Sequence, residues 1–432
     1  MHIFFSGIGG TAISSLALLA HEAGYQVSGS DARPSQYLEY LKEHGVTDTH
    51  MGVDKDFIAQ IHAKNPIDWY VYGSAQPMDF PDHPEFEFCE QNHIKMSKRD
   101  EFLSKLIKDK GLSLIAIAGT HGKTTTTAMV TWVFKQSGLP LSYSGGAKLS
   151  FGDVGEYNAQ SKYFVYEADE YDRNFLSFSP DISLISGVDY DHPDIYPTRQ
   201  EYYDAFRQFL DQSQKVVMWD DDAKILGVEN KDKSQILKHD DPELNSIKLA
   251  GVVNRQNAWL VAQGLAVELG KSADELIIIL NDFPGLSRRF EQLAPNLYTD
   301  SAHTPPKIRG ALQLAQEVAR NNVVVIYEGL HNLRQHFIKD ELTHLFDQVK
   351  ELYIVPSYLA RENKDLELLT PPKLLNMLSN SSREHAHASE LDNSLKVAIK
   401  SHLGQGDLVL ALSAGGAGSL DEWLRQNFSS TT

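Results

Sequence analysis

Apolar residues fall along this chain in short strand-length runs separated by longer stretches whose apolar positions recur every three to four residues, a pattern that predicts strands alternating with helices. The first run, His2 to Ser6, leads through a turn, Gly7-Ile-Gly9-Gly10, into an apolar helix from Ala12 to Ala23 and a second strand from Tyr25 to Ser28, which makes a βαβ unit. A strand at Trp69 to Tyr72 and a helix from Arg99 to Lys108 complete a first domain, expected over residues 1–110. A second domain, 111–283, holds strands at Leu112 to Ala118, Tyr163 to Tyr166 and Ile182 to Ile185, an amphipathic stretch from Gln200 to Leu210 and a helix from Asn254 to Leu269. Within it the polar, acidic segment Asp220 to Asn245 reads as excursion loops, and the turn-rich Phe283-Pro-Gly-Leu-Ser287 marks the next boundary. A third domain, 284–432, alternates strands (Val323 to Tyr327, Leu352 to Val355, Leu408 to Leu412) with helices (Lys307 to Arg320, Lys339 to Val349, Asn393 to His402), so a parallel sheet is expected there. The fold class is α/β in three domains.

The strand from Leu112 to Ala118 meets its helix through Gly119-Thr-His-Gly122-Lys123-Thr124-Thr125. Strand, glycine loop and helix together form a phosphate cradle. Loop amides and the positive end of the helix point at an anion, Lys123 neutralises β/γ-phosphate charge, and the Thr124 hydroxyl is placed to ligate Mg²⁺, so ATP is the expected nucleotide. Ile117 stands where the generic pattern has its first glycine, which makes this a shortened variant.

Composition narrows the class. With 432 residues, 42% hydrophobic and 23% charged, the chain has the balance of a globular protein of several domains. A net charge of −18 without a clustered basic face argues against nucleic acid or an anionic membrane as a main partner. The single cysteine, Cys89, excludes internal disulfides and zinc knuckles, and it is expected as a structural residue on a helix. No leader and no span-length apolar run is evident, so the cytoplasm is the expected compartment. Monomer and homodimer both remain open.

Two further features carry chemistry. The turn Gly7-X-Gly9-X-X-Ala12, with Asp31 after the second strand, suits a pyrophosphate at a helix start, whether of a dinucleotide or of a UDP-type nucleotide. The runs Glu167-Ala-Asp169-Glu170-Tyr-Asp172 and Asp189-Tyr-Asp191-His192-Pro-Asp194 end successive strands. In an open parallel sheet both should converge on the phosphate loop, where hard carboxylates suit Mg²⁺ and His192 beside Glu167 suits a second ion. A solvated acidic turn is the alternative for either run.

These motifs, with Gly29-Ser-Asp31, Tyr72-Gly-Ser-Ala75, Arg99-Asp-Glu101, Asn254-Arg-Gln-Asn257-Ala, Ser287-Arg-Arg-Phe-Glu291 and Asp300-Ser-Ala-His-Thr-Pro305, stand in the order found in the Mur ligases, which the chain resembles nearly end to end. The resemblance implies a Rossmann-like N-terminal domain for a UDP-sugar, a central P-loop ATPase domain and a C-terminal Rossmann-like domain that closes over them. It implies an ADP-forming ligase of peptidoglycan precursor synthesis, with UDP-N-acetylmuramate and L-alanine as substrates and ATP and Mg²⁺ as cofactors. Gly7, Gly9, Gly10, Ser30, Asp31, Ser74 and Arg99 would bind the sugar nucleotide. The nucleotide would be held by Gly119, Thr120, His121, Gly122, Lys123, Thr124, Thr125, Asn257, Arg289 and Asp300, and the metal by Thr124, Glu167 and His192. Catalysis would rest on Lys123, Glu167, His192 and Arg289, with His303 and Arg334 lining the amino-acid site. Departures from the alanine-adding pattern cluster in the third domain, at Ser301, Thr304 and Gly329-Leu-His331-Asn-Leu-Arg334, of which only the last arginine is retained. They leave two alternatives open, a muropeptide-recycling ligase that takes a preformed peptide and a catalytically inactive nucleotide-binding homologue.

Overall fold

A computed structural model describes residues 1–73, 76, 82–192, 195–228, 232–359, 362 and 365–428. Period-two alternation explains the first strand: Ile3 and Phe5 turn to one face, where they pack with Leu16, Leu19 and Phe102, while Phe4 turns to the other, against Ile58, Ile61 and Tyr70. This strand, β1 (His2–Ser6), lies in a parallel five-stranded sheet with β2 (Gln26–Asp31), β3 (Asp48–Met51), β4 (Trp69–Tyr72) and β5 (Lys95–Lys98), in the order β3-β2-β1-β4-β5. The order reverses direction between β1 and β4. The carboxyl ends of these two strands therefore border the crevice where open α/β sheets take their ligands.

A second sheet contains β6 (Ser113–Ala118), β7 (Ser142–Ser144), β8 (Gly155–Glu156), β9 (Tyr163–Glu167), β10 (Ile182–Ile185), β11 (Lys215–Trp219) and β12 (Ser234–Leu237). Its order is β12-β11-β10-β6-β9-β7-β8, parallel except for the β7/β8 pair, so β6 runs between the two strands that end in acidic clusters. A third sheet, β13-β14-β18-β15-β16-β17, comprises β13 (Glu291–Ala294), β14 (Leu297–Asp300), β15 (Val323–Leu330), β16 (Glu351–Tyr358), β17 (Ala386–Ala388) and β18 (Leu408–Leu412). Residues Met1–Ile247 and Asn257–Phe283 form one compact unit, and Lys248–Gln256 with Pro284–Thr432 a second. The first two sheets belong to the former, and one continuous apolar core reaches from Ile3 and Phe102 to Phe164 and Phe206. No helix among the described residues is long and apolar enough to cross a membrane.

Three local expectations are corrected. The segment expected as excursion loops contains a helix, Asp220–Leu226, and β12. Three consecutive aspartates in the first turn favour a helix start, where they meet the positive end of its dipole, and Gly227 ends it in a left-handed conformation. A helix expected at Lys339 to Val349 instead spans Asn332–Leu342. Its start is fixed by Asn332, whose amide N–H donates to Glu362 and whose side chain bonds Glu367 O and Leu369 N. The third sheet is not wholly parallel, because β13 pairs antiparallel with β14 across a short turn that no crossover helix could fit. Cys89 is buried on the helix Pro84–Gln91, as expected.

Candidate active site

The phosphate loop sits between β6 and the helix Lys123–Gln136, whose N-cap, Gly122, is left-handed at φ +80°. A Cβ on Gly122 would lie 3.0 Å from Asn257 Oδ1 and from Ser186 Cβ. On Gly119, at φ +143°, it would lie 2.6 Å from Ser186 Oγ and 2.8 Å from Gly187 O. Only glycine fits either place, and the backbone there is laid against a helix start in the manner an anion site requires. Thr120 ties the loop to the next strand end through N–H to Gly187 O at 2.7 Å and Oγ1 to Asp189 O at 2.5 Å. His121 and Thr125 flank it, on the loop and in the first helical turn.

Acidic groups from both neighbouring strands reach this loop. Thr124 Oγ1 donates to Glu167 Oε1 at 2.9 Å, and Gly146 N–H donates to Glu167 Oε2 at 2.8 Å. A hydroxyl and a carboxylate so joined offer the hard oxygens that suit Mg²⁺. Lys123 Nζ donates to Glu170 Oε2 and to Gly119 O, each at 2.5 Å. Burial works against the Lys123 ammonium, but Glu170 and then Asp169 and Glu167 outweigh it and hold its pKa above the ordinary lysine value. His192, in a left-handed conformation at φ +56°, places Nε2 3.7 Å from Glu170 Oε1 and 3.9 Å from Asp191 Oδ2. The structure thus brings Thr124 to Glu167 and sets His192 against Glu170.

Sequence reasoning places Glu170 within a run of carboxylates that converges on the loop but assigns it no partner. It is buried, holds Lys123 on one oxygen and faces His192 with the other, and its backbone carbonyl accepts Tyr196 Oη at 2.5 Å. Its position three residues after Glu167 was the available signal, since the turn that follows β9 returns it to the same side. Asp172 and Arg173 take left-handed φ values of +52° and +57° in that turn, a cost that a surrounding structure must hold in place.

At the first glycine turn, Gly9 N–H donates to Asp31 Oδ2 at 2.8 Å, and Ser35 Oγ donates to Gly9 O at 2.7 Å. Gly7 is left-handed at φ +71°, and Gly10 caps the helix Thr11–Glu22. Ser30, expected to touch the substrate, is fully buried, with Oγ donating to Glu85 Oε1 at 2.5 Å; it supports the turn from beneath. Arg99 bonds Asp100 and lies 3.6 Å from Asp169. Ser74 lies outside the described residues. A cavity of about 240 Å³ lies beside the helix Thr11–Glu22, lined by Thr11, Ser15 and Arg99 and by Gly146, Glu167 and Asp169.

In the second unit Arg289 stands in a turn between two left-handed residues, Arg288 at φ +57° and Phe290 at φ +49°. Asp300 fixes that turn, accepting N–H from Phe290 and from Ala302 at 2.8 Å each, so Arg289 and Asp300 share one local structure. Burial raises the Asp300 carboxyl above its ordinary pKa, against the pull of Arg289. The Arg288 guanidinium donates to Ser413 O and Gly415 O beyond β18. His303 bonds Ser301 O at 2.7 Å after β14, and Arg334 occupies the first turn of the helix after β15. Both stand at strand carboxyl ends on either side of β18.

Loop, sheet order and glycine geometry define a phosphate-loop α/β protein. Comparison with known proteins is specific: the family described as "Mur ligase family, catalytic domain" matches residues 2–110, and "Mur ligase middle domain" matches residues 117–255. A UDP-N-acetylmuramate–L-alanine ligase of Clostridium beijerinckii is 30% identical over an alignment of 451 positions, covering 96% of this chain and 95% of the relative. Among solved structures, the UDP-N-acetylmuramate–alanine ligase of Thermotoga maritima matches with a TM-score of 0.70 at 23% identity, over 99% of this chain and 98% of that one. The murein peptide ligase of Psychrobacter arcticus matches with a TM-score of 0.64 at 22% identity over the full length of both chains. The chain belongs to the Mur ligase family and is accordingly an ATP-dependent ligase.

Proposed function

We propose that this protein joins L-alanine to the lactyl carboxylate of UDP-N-acetylmuramate, with conversion of ATP to ADP and phosphate, in the cytoplasmic assembly of peptidoglycan precursors. The observation that carries this reading is the cavity lined both by the helix after the first glycine turn and by Glu167, which ends β9 and bonds Thr124 of the phosphate loop. In this reading a carboxylate carried on a nucleotide at the first turn would approach, on the Glu167 side of that cavity, the terminal phosphate of a nucleotide at the second. The division into domains 1–110, 111–283 and 284–432 follows the same reading, with one domain for each substrate.

In this mechanism the substrate carboxylate oxygen bonds to the γ-phosphorus as the bond to ADP breaks, and the resulting acyl phosphate is then attacked by the amine of L-alanine with loss of phosphate. Lys123 balances charge on the transferring group, while Thr124, Glu167 and His192 are the residues that would hold Mg²⁺, whose role would be to neutralise phosphoryl oxygens. Thr124 and Glu167 fit that ion because a hydroxyl and a carboxylate oxygen already meet there. Arg334 anchors the amino-acid carboxylate, and His303 borders the same end of the sheet. Water must be kept from the acyl phosphate, which would otherwise hydrolyse before the amine attacks.

UDP-N-acetylglucosamine tests the role of the carboxylate, because it has the same diphosphate but no lactyl group. It is expected to compete with UDP-N-acetylmuramate for binding and to support no ADP release in a coupled assay. Equal ADP release with both sugars would contradict the proposal.

A further inference from the structure

We propose that Glu85 is a positioning residue beneath the sugar-nucleotide turn, holding Ser6, Ser30 and Tyr70 together, and that it takes a proton from solvent when the diphosphate seats on that turn. This rests on the assignment of the turn to a sugar nucleotide. Glu85 is fully buried, in the helix Pro84–Gln91. Its Oε2 accepts from Ser6 Oγ at 3.0 Å and Tyr70 Oη at 2.8 Å, and its Oε1 accepts from Ser30 Oγ at 2.5 Å. These donors come from the carboxyl ends of β1 and β2 and from β4, so a single carboxylate fastens the two strands that border the reversal in strand order and the neighbour of one of them. Ser6 is the residue directly before Gly7. Gln76 extends the network, donating to Ser6 Oγ and lying 2.7 Å from His83 Nε2.

A carboxylate in this place is electrostatically unusual. Among the described residues no lysine or arginine is paired with it, and the basic group in reach is His83, with Nδ1 at 4.0 Å. The other titratable groups facing it are Tyr70 from β4, Cys89 from its own helix and, at longer range, Asp54, none of which supplies positive charge. Burial raises the Glu85 carboxyl above its ordinary pKa, and the hydroxyls of Ser30, Tyr70 and Ser6 only partly offset this; burial lowers His83, so that ring does not compensate either. A diphosphate added above Gly7 brings like charge to a group already shielded from water, which pushes the carboxyl further toward its protonated form. The sign follows: the complex holds more protons than the free protein between the free and bound pKa values of Glu85. Affinity is therefore full below that window and falls as pH rises through it, by up to about tenfold per pH unit.

The test is calorimetric titration of the whole protein with UDP-N-acetylmuramate at one pH, in two buffers of different ionisation enthalpy. Wild type should show buffer-dependent heats that report net proton uptake, and Glu85→Gln should bind with those heats nearly equal and with affinity almost independent of pH. Binding without uptake in wild type, or unchanged uptake in Glu85→Gln, would overturn the proposal while leaving the sugar-nucleotide assignment intact; absence of binding to wild type would remove that assignment as well. If Glu85→Gln fails to fold, Tyr70→Phe gives a second readout. It removes one donor that lowers the Glu85 pKa in both the free and the bound protein, so over a pH series the pH of greatest uptake should move upward from the wild-type value; an unmoved maximum would overturn the proposal.

Discussion

Lys123→Ala should lower kcat by about a thousandfold, the usual cost of deleting one preorganised charge aimed at a transition state, and should also lower the melting temperature. The second effect comes from Glu170, which is 1% exposed and has the Lys123 ammonium 2.5 Å away, so the alanine variant strands a buried carboxylate. Breaking such a pair costs on the order of 3–5 kcal/mol when fully buried, and less here because Lys123 is 15% exposed. The sequence alone suggests an intact fold for this variant, since nothing in the motif reveals which acid the lysine meets. A double variant, Lys123→Ala with Glu170→Gln, separates the two effects: melting temperature should recover while kcat stays low. Activity of the single variant within tenfold of wild type, in a coupled ADP assay, would contradict the assignment of the loop.

Glu167→Gln is expected to reduce kcat by about a hundredfold or more and to raise the Mg²⁺ concentration needed for half-maximal rate, again because a preorganised charge is lost from the phosphoryl site. The amide fails on both sides. Glu167 accepts from Thr124 Oγ1 and from Gly146 N–H, and glutamine offers only one oxygen to these two donors. Gly146 permits the arrangement, because a Cβ there would lie 2.6 Å from Glu167 Oε1. Affinity for UDP-N-acetylmuramate, read by calorimetry without ATP, should change by no more than a few fold, since the proposed seat of the diphosphate is the first turn. A parallel loss of sugar-nucleotide affinity and rate would contradict the separation of the two sites.

The parts legible in the sequence are those in which one local signal suffices. The strands around Phe4, Ile117 and Val165 are continuous apolar runs, and the phosphate loop carries its glycines and lysine in a fixed order, so both were read directly. Short edge strands such as Asp48–Met51 and Ala386–Ala388 have too few apolar residues to stand out, because an edge strand needs only one partner and little burial. Ser30 was misread because a small polar residue at a strand end looks the same whether its hydroxyl faces a ligand or a buried acid such as Glu85. The partners of Glu170 and Glu85 are not legible for a common reason: a glutamate's role depends on which donors the fold delivers, and these come from residues as distant in sequence as Lys123 and Ser6. The left-handed turn at Arg288 to Phe290 is likewise held by Asp300 across a strand pair, which no spacing within the turn reveals.

The most direct measurement is ADP release with UDP-N-acetylmuramate and ATP across a panel of amines that includes glycine, L-alanine, L-serine and the L-alanyl-γ-D-glutamyl-meso-diaminopimelate tripeptide. Ser301 and His331 leave the end of the third sheet open to some looseness among the small amino acids, because one methylene of fit is worth only about 1–3 kcal/mol. L-alanine should still give the highest kcat/KM, and Arg334→Ala should raise its KM far more than that of ATP. A tripeptide used well while L-alanine is hardly used would contradict the account, and Ser301, Thr304 and His331 would then mark a site built for a peptide.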